Sequence, residues 1–360
     1  MLNDLPKGNL GEWSELYALG YLLVHGGAYE ADKHQNPDPD VFHSVKQIWL
    51  HPTKGLEPLH FFLENSSVSV LRKSDEVRLV AKSLIEDVLK RMNIELSLNS
   101  NRGTFSLQSG SEMMQILQKE TISASSAARE TDLDLVFEDL SSGAITPHVG
   151  FNIKSQIGAR STLLNASGAT NFTFKIVPKN CAYLAEFPEF VHGKHRHNLQ
   201  KLHETGYKLE FHKIQSEVFQ KNLVFIDLKF PEILAKVLLH SYQTGENSFS
   251  IATRSVFPGN DLISEQSRFK LKQFLGSIAM GLRPSTDWDR DTTKFSGMLI
   301  VKESGDIVFN YLNKIQNFEE YLFNSVAFER PSTTRHKYGH IYELLGENFI
   351  DLNLQIRFLK

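Results

Sequence analysis

The chain has 360 residues, of which 41% are hydrophobic and 22% charged, with 25 phenylalanines and a single cysteine, Cys181. That composition excludes a disordered or fibrous chain and suits about two domains of ~150 residues each. One cysteine permits neither an intrachain disulfide nor a zinc ribbon, which points to a reducing, cytoplasmic setting. The net charge of −3, from 39 Lys plus Arg against 42 Asp plus Glu, excludes a protein that coats nucleic acid through bulk charge, where a domain pI above about 9 is usual. A local basic cleft stays open: His192 to Lys221 carries six Lys or Arg and five His against three Glu.

No apolar stretch approaches the ~20 residues that span a bilayer. Met1 to Gly11 has acid and proline where a signal peptide would carry a basic start and an apolar centre. Neither a membrane span nor secretion is expected. The first helix begins at Asn9, which can cap it, with Glu12 completing a capping box ahead of GEWSELYALGYLL. A proline-bearing loop at Asn36 to Asp40 is expected to break the chain. Asp75 to Met92 reads as an amphipathic helix with Val77, Val80, Leu84, Val88 and Leu89 on one stripe, and Ser111 to Glu120 as another short helix.

The pattern then changes to period two. TDLDLVFED (131–139) sets Leu133, Leu135 and Phe137 on one face and Asp132 and Asp134 on the other. After a turn at SSG (141–143), GFNIKSQIG (150–158) resumes the alternation with Asn152, Lys154 and Gln156 opposite Phe151 and Ile153, so a β-hairpin is predicted. Leu223 to Lys229 reads as a strand, and Pro231 as the first residue of a helix reaching about His240. Gly297 to Lys302 and Asp306 to Tyr311 bracket a second hairpin, and DLNLQIRF alternates again near the end. The class is α/β or α+β with a mixed central sheet. The organisation expected is a mainly helical region over 1–125 that contributes a helix to the core, the hairpin and its following loop over 126–180, and a mixed α/β region over 181–360.

The hairpin carries the chemistry. Side chains two apart on a strand are about 6.6 Å apart at Cα, and a turn near Ser142 sets Asp132 or Asp134 across from Asn152. Hard oxygen donors and a lysine then share one patch. Magnesium is served by one or two carboxylates, a carbonyl and a substrate phosphate, and a neighbouring lysine can orient or help deprotonate an attacking water. The alternative is a solvated strand face, which spacing alone does not exclude. A competing acid-x-Lys match, Asp227 and Lys229 with Glu210 upstream, ranks lower because Pro231 follows and no acid-bearing strand hairpins onto it.

Asp132 or Asp134, followed by Asn152-Ile153-Lys154 and extended by Gln156, resembles the PD-(D/E)xK nuclease signature. It departs from it at Asn152, where an Asp or Glu is usual. KGNLGEWSELYALGYLL (7–23), GFNIKSQIG with STLLNASGATNF (161–172), PSTTRHKYG (331–339) and DLNLQIRF (351–358) together resemble, in order, the HpaII-type family of type II restriction endonucleases over nearly the whole chain. The resemblance implies a restriction-endonuclease-like core and magnesium-dependent cleavage of double-stranded DNA at a short GC-rich palindrome, expected to be CCGG, with 5′-phosphate ends. It also implies a cognate DNA methyltransferase in the same restriction-modification system, though not as a bound partner. Within it, Asp132, Asp134 and Asn152 are the expected metal ligands. Glu15 is the candidate helical acid, Lys154 the activating cation, and Gln156 completes the motif.

For DNA contact, Lys194, Arg196 and Lys201 are candidates for phosphates. Ser161, Thr162, Asn165 and Asn171 follow the catalytic strand with groups suited to backbone or bases. Arg330, Ser332, Thr333, Arg335 and His336 offer forks and hydroxyls for a guanine-rich site, Arg335 being preferred to Arg330. A zinc site from His192, His195, His197 and His203 is the weaker reading, since structural zinc without cysteine is uncommon. Asp287, Asp289 and Asp291, beside Arg290 and Lys294, read as a surface loop. A palindromic site fits a homodimer. The rivals are a structure-specific or repair nuclease of the same superfamily and, given Asn152, a catalytically silent DNA-binding protein.

Overall fold

The computed structural model describes residues 5–32, 34–51, 56–72, 77–123, 131–140, 143–146, 148–158, 161–179, 188–191, 194–289, 296–312 and 315–359. Cys181, His192, Arg290, Asp291 and Lys294, and the turn at Ser142, lie outside them. The chain folds into two compact units, one of Met1–Ser161 with Asp291–Phe318, the other of Thr162–Arg290 with Glu319–Lys360.

The first unit opens with α1 (Leu10–His25), whose start is the expected capping box: Asn9 accepts from the Glu12 amide, and Glu12 accepts from that of Asn9. Five strands follow, β1 (Gly27–Ala31), β2 (Pro37–Leu50), β3 (Leu59–Leu63), β4 (Ser67–Leu71) and β5 (Val77–Ala81), then α2 (Lys82–Asn99), α3 (Gln108–Ile116), β6 (Leu133–Asp139), β7 (Ala144–Ile145) and β8 (Val149–Ser155). Two expectations change here. Asn36 to Asp40 is the entry of a long strand, not a break, with Pro37 at its first position, where a missing N–H is tolerated. Val77 to Ala81 is an edge strand on β4, not helix: Val77 and Leu79 are exposed, and the helical stripe begins only at Lys82.

The chain then builds β9 (Thr162–Leu164), β10 (Asn171–Pro178), α4 (His195–Glu204), β11 (Tyr207–Ile214), α5 (Glu217–Val224), α6 (Phe230–Thr244), α7 (Phe249–Val256) and α8 (Leu262–Ala279) in the second unit. The strand expected at Leu223 to Lys229 is instead the end of α5 and a turn. Ser216 caps α5 through the Phe219 amide, and Phe219 and Leu223, one helical turn apart, are buried. Pro231 sits in the first turn of α6 as expected. The chain returns to the first unit for the predicted hairpin, β12 (Gly297–Val301) and β13 (Ile307–Tyr311). It continues through α9 (Ile315–Ser325), β14 (Val326–Phe328), α10 (Thr333–His336), β15 (Ile341–Leu344), β16 (Glu347–Asn353) and β17 (Ile356–Phe358).

Among the described residues the first unit holds a mixed ten-stranded sheet in the order β5-β4-β3-β2-β1-β13-β12-β8-β6-β7. Its β1–β13 and β12–β8 pairs are parallel, the rest antiparallel. The long β2 also pairs with β6, so β2, β1, β13, β12, β8 and β6 close into a ring. Aromatic rings fill it: Phe151 lies 4.7 Å from Phe309 and Phe137 5.1 Å from Phe309, with His43 4.8 Å from Phe309. His43 is bound to Glu30 at 2.5 Å, both nearly inaccessible. Gly297 is required beside this cluster, because a Cβ there would come 2.4 Å from the Phe151 ring. The second unit carries the sheets β11-β10-β16-β15 and β14-β17-β9. Among the described residues, no helix is long and apolar enough to cross a membrane.

Phe137 is fully buried among Phe151, Phe309, Tyr311 and His43. Phe137→Ala should therefore cost about 3–5 kcal/mol of stability in urea unfolding followed by far-UV circular dichroism. A loss below about 1 kcal/mol would show that the ring does not depend on this packing.

Candidate functional site

The hairpin of β6 and β8 is antiparallel with Leu133 opposite Phe151 and Leu135 opposite Val149. This register sets Asp132 across from Asn152: the Asp132 amide donates to the Phe151 carbonyl at 2.9 Å, and Asp132 Oδ2 accepts from the Ile153 amide at 2.6 Å. Asn152 is 7% exposed and stands beside Met298 of β12, while Lys154, two residues on and on the same face, pairs with Ile300. Phe151 and Ile153 point the other way into the apolar core. A carboxylate, an amide carbonyl and a lysine thus share one strand face. Gln156 lies just past β8, its amide donating to the Val301 carbonyl at 2.8 Å.

Asp134 is held differently. Its Oδ2 is 2.9 Å from His51 Nε2, and its Oδ1 accepts from the Thr131 hydroxyl at 3.3 Å. His51 follows β2 directly and is the neighbour that sequence reading missed, since 83 residues separate it from Asp134. Trp49 packs 3.4 Å from the His60 ring and 4.2 Å from that of His148. Burial, with the nearby His51 and His148, holds His60 below the usual histidine range. Glu15 lies on α1, whose apolar residues share the core of Phe151 and Ile153. There its charge acts on Lys119, a buried lysine that desolvation pulls down to about 8.

Hard oxygen donors such as the Asp132 carboxylate and the Asn152 carbonyl suit magnesium, which keeps several waters and needs few protein ligands. Among the described residues no group of three or more His, Cys, Asp or Glu is placed to hold a metal ion. A zinc centre built on His195, His197 and His203 is therefore not formed by these residues.

In the second unit, the basic and hydroxyl candidates divide. Lys194, Arg196, Arg330, Ser332 and Thr333 line one cavity of about 760 Å³, joining segments far apart in sequence. Arg330 lies with its guanidinium carbon 3.9 Å from the Tyr242 ring centroid and donates through Nη2 to the Ser241 hydroxyl at 2.7 Å. Its Nη1 is buried without a hydrogen-bond partner. Burial pulls this guanidinium below its ordinary range. Ser332 caps α10 by accepting from the Arg335 amide. Arg335 is exposed on α10 and, like the half-buried His336 and the Lys201 of α4, lies outside the cavity lining.

The 161–172 segment is mostly used within the protein. Ser161 donates to the Ser155 carbonyl at 2.7 Å, Thr162 sits on β9 opposite Arg357, and Asn165 is exposed. Asn171 is 5% exposed; its amide donates to the His336 carbonyl at 3.0 Å and accepts from the Asn353 side chain at 2.7 Å. That pairing ties β10 to β16 and to the end of α10. Asp287 pairs with Lys221 at 2.8 Å on the surface, as a loop reading expects, and Asp289 is exposed. Asn171→Ala should lower stability by about 1 kcal/mol, because the His336 carbonyl and the Asn353 side chain each lose a hydrogen bond. A thermal melt checks this, and an unchanged melt with weakened DNA binding would make Asn171 a contact instead.

The HpaII restriction endonuclease family model matches residues 9–358. The chain is 35% identical to the type II restriction enzyme HpaII of Haemophilus parainfluenzae, over 99% of this chain and 100% of that protein. No solved structure matches it. A match over this length, carried by a chain whose β6–β8 hairpin presents an acid and a lysine on one face, has one meaning: the chain belongs to the HpaII restriction endonuclease family, whose members are type II site-specific deoxyribonucleases.

Proposed function

We propose that the protein hydrolyses double-stranded DNA at a short GC-rich palindrome, CCGG, with magnesium, leaving 5′-phosphate ends. The observation that carries the reading is the register setting Asp132 opposite Asn152, with Lys154 two residues on along the same face. Asp132 and the Asn152 carbonyl would hold the ion, with Asp134 and Glu15 as the further candidate acids. When bound, magnesium supplies positive charge to the phosphate oxygens and lowers the pKa of a coordinated water.

The rest falls to side chains of this chain. The Ile153 amide fixes the Asp132 carboxylate in orientation. Lys154 orients the attacking water and stabilises the charge that builds on the non-bridging oxygens. Water oxygen bonds to phosphorus in line, the bond from phosphorus to the 3′ oxygen breaks, and that oxygen takes up a proton as it leaves. Phosphodiester hydrolysis is very slow uncatalysed, so this electrostatic contribution supplies most of the barrier reduction. Lys194, Arg196 and Lys201 serve as phosphate contacts. Arg330, Ser332, Thr333, Arg335 and His336 lie on the region that reads the site, within a homodimer matched to the palindrome. A methyltransferase of the same specificity would protect the host's own DNA.

Incubation with sequenced plasmid and magnesium, with ends mapped to the nucleotide, tests this: discrete fragments cut within CCGG are expected. Fragments at another sequence would overturn the CCGG assignment alone. Intact DNA that is nonetheless shifted in a gel would favour a silent binder, the reading that Asn152 supports. Lys154→Ala should reduce cleavage by roughly 10²–10³-fold while leaving DNA binding in a gel shift near the parent. Full activity in that variant would remove Lys154 from the chemistry.

A further inference from the structure

Base edges lie on the floors of the DNA grooves, so they are read by elements that protrude, such as a helix or a β-ribbon. The cavity of the second unit is the opposite shape. At about 760 Å³ it falls within the volume range of small-molecule sites and has room for one nucleotide swung out of the duplex.

Its lining suits such a guest. Lys194 and Arg196 stand exposed at the start of α4, and no carboxylate lines the cavity among the described residues. These cations match a phosphate. Further in, the Arg330 guanidinium carbon lies 3.9 Å from the Tyr242 ring centroid, and His195 is stacked on Tyr338 at 5.3 Å. The half-buried Arg330 and His195 line the cavity, and planar groups of this kind stack on bases. Gly339 leaves room for that histidine, since a Cβ there would come 2.6 Å from its Cε1.

From this combination we infer that the cavity between α4 and the 330–334 segment accepts a single nucleotide extruded from the bound DNA. This rests on the DNA-cleaving reading above and adds how the site is inspected. A nucleotide held here is recognised by its Watson–Crick edge through the cavity's polar groups, and the unpairing it requires makes recognition depend on the stability of that base pair.

The test uses the full chain with calcium in place of magnesium, on duplexes carrying the mapped cleavage sequence. A fluorescent base analogue, 2-aminopurine or pyrrolocytosine, replaces one base at a time. Emission should rise several-fold at one position on binding. A mispair at that position should tighten binding roughly tenfold to a hundredfold, since the cost of unpairing is removed in advance. Both effects should disappear in Arg330→Gln and in Gln200→Trp, whose parent side chain is an exposed part of the lining and whose bulkier indole obstructs the cavity. DNA that is cut at discrete sites with no emission change at any position overturns the inference and leaves the nuclease reading intact. A rise that survives in Gln200→Trp places the extruded base elsewhere and also overturns it. Failure to bind or cut any duplex overturns the nuclease reading, and this one with it.

Discussion

The register of β6 against β8 is the constraint on which the candidate chemistry depends. Leu133 opposite Phe151 puts the apolar side of both strands against the aromatic interior, where Phe151, Phe137 and Phe309 touch. A slip of one residue would turn every side chain to the other face. Asp132, Asn152 and Lys154 would then face the aromatic core, and Phe151 would face outward. Burying a carboxylate and an ammonium without partners costs several kcal/mol, so the hydrophobic ring specifies the polar face by excluding the alternative. Gly297 belongs to the same constraint, because only a residue without a side chain lets Phe151 sit where the parallel β12–β8 pairing needs it.

The two aspartates illustrate how position on the hairpin separates roles. Both alternate onto the same side of β6, and spacing alone treats them as equals. The structure ties Asp132 to the backbone of the lysine-bearing strand and Asp134 to His51 and Thr131. Asp132, held by the Ile153 amide, stands opposite Asn152.

Short-range signals were legible wherever one face of an element repeats without interruption. The capping box at Asn9, the period-two hairpin 131–158, the Glu303-Ser304-Gly305 turn and the proline start at Pro231 all sit in the structure as read. The long β2 was not read, and its geometry says why: the register against β6 shifts between Val45 and Gln47. The buried residues Val45, Ile48 and Leu50 therefore fall out of strict alternation. At Val77 to Ala81 the error ran the other way, since an exposed edge strand can carry apolar residues at helical spacing by accident. His51 beside Asp134, and Arg330 facing Lys194 and Arg196 across one cavity, are juxtapositions made by tertiary structure alone. Composition showed the cations, but nothing in the spacing joined them.

Asn152 is the departure that most affects the electrostatics, and its burial gives it a physical rationale. At 7% exposure an acid in its place would stand against the Asp132 carboxylate in a poorly solvated pocket. Like charges so close raise one pKa strongly or keep one acid protonated. An amide keeps a carbonyl oxygen for a cation without that penalty. Under the magnesium-dependent reading proposed above, the site would carry one negative charge fewer, and a divalent cation would have to draw more of its binding energy from the DNA phosphate itself.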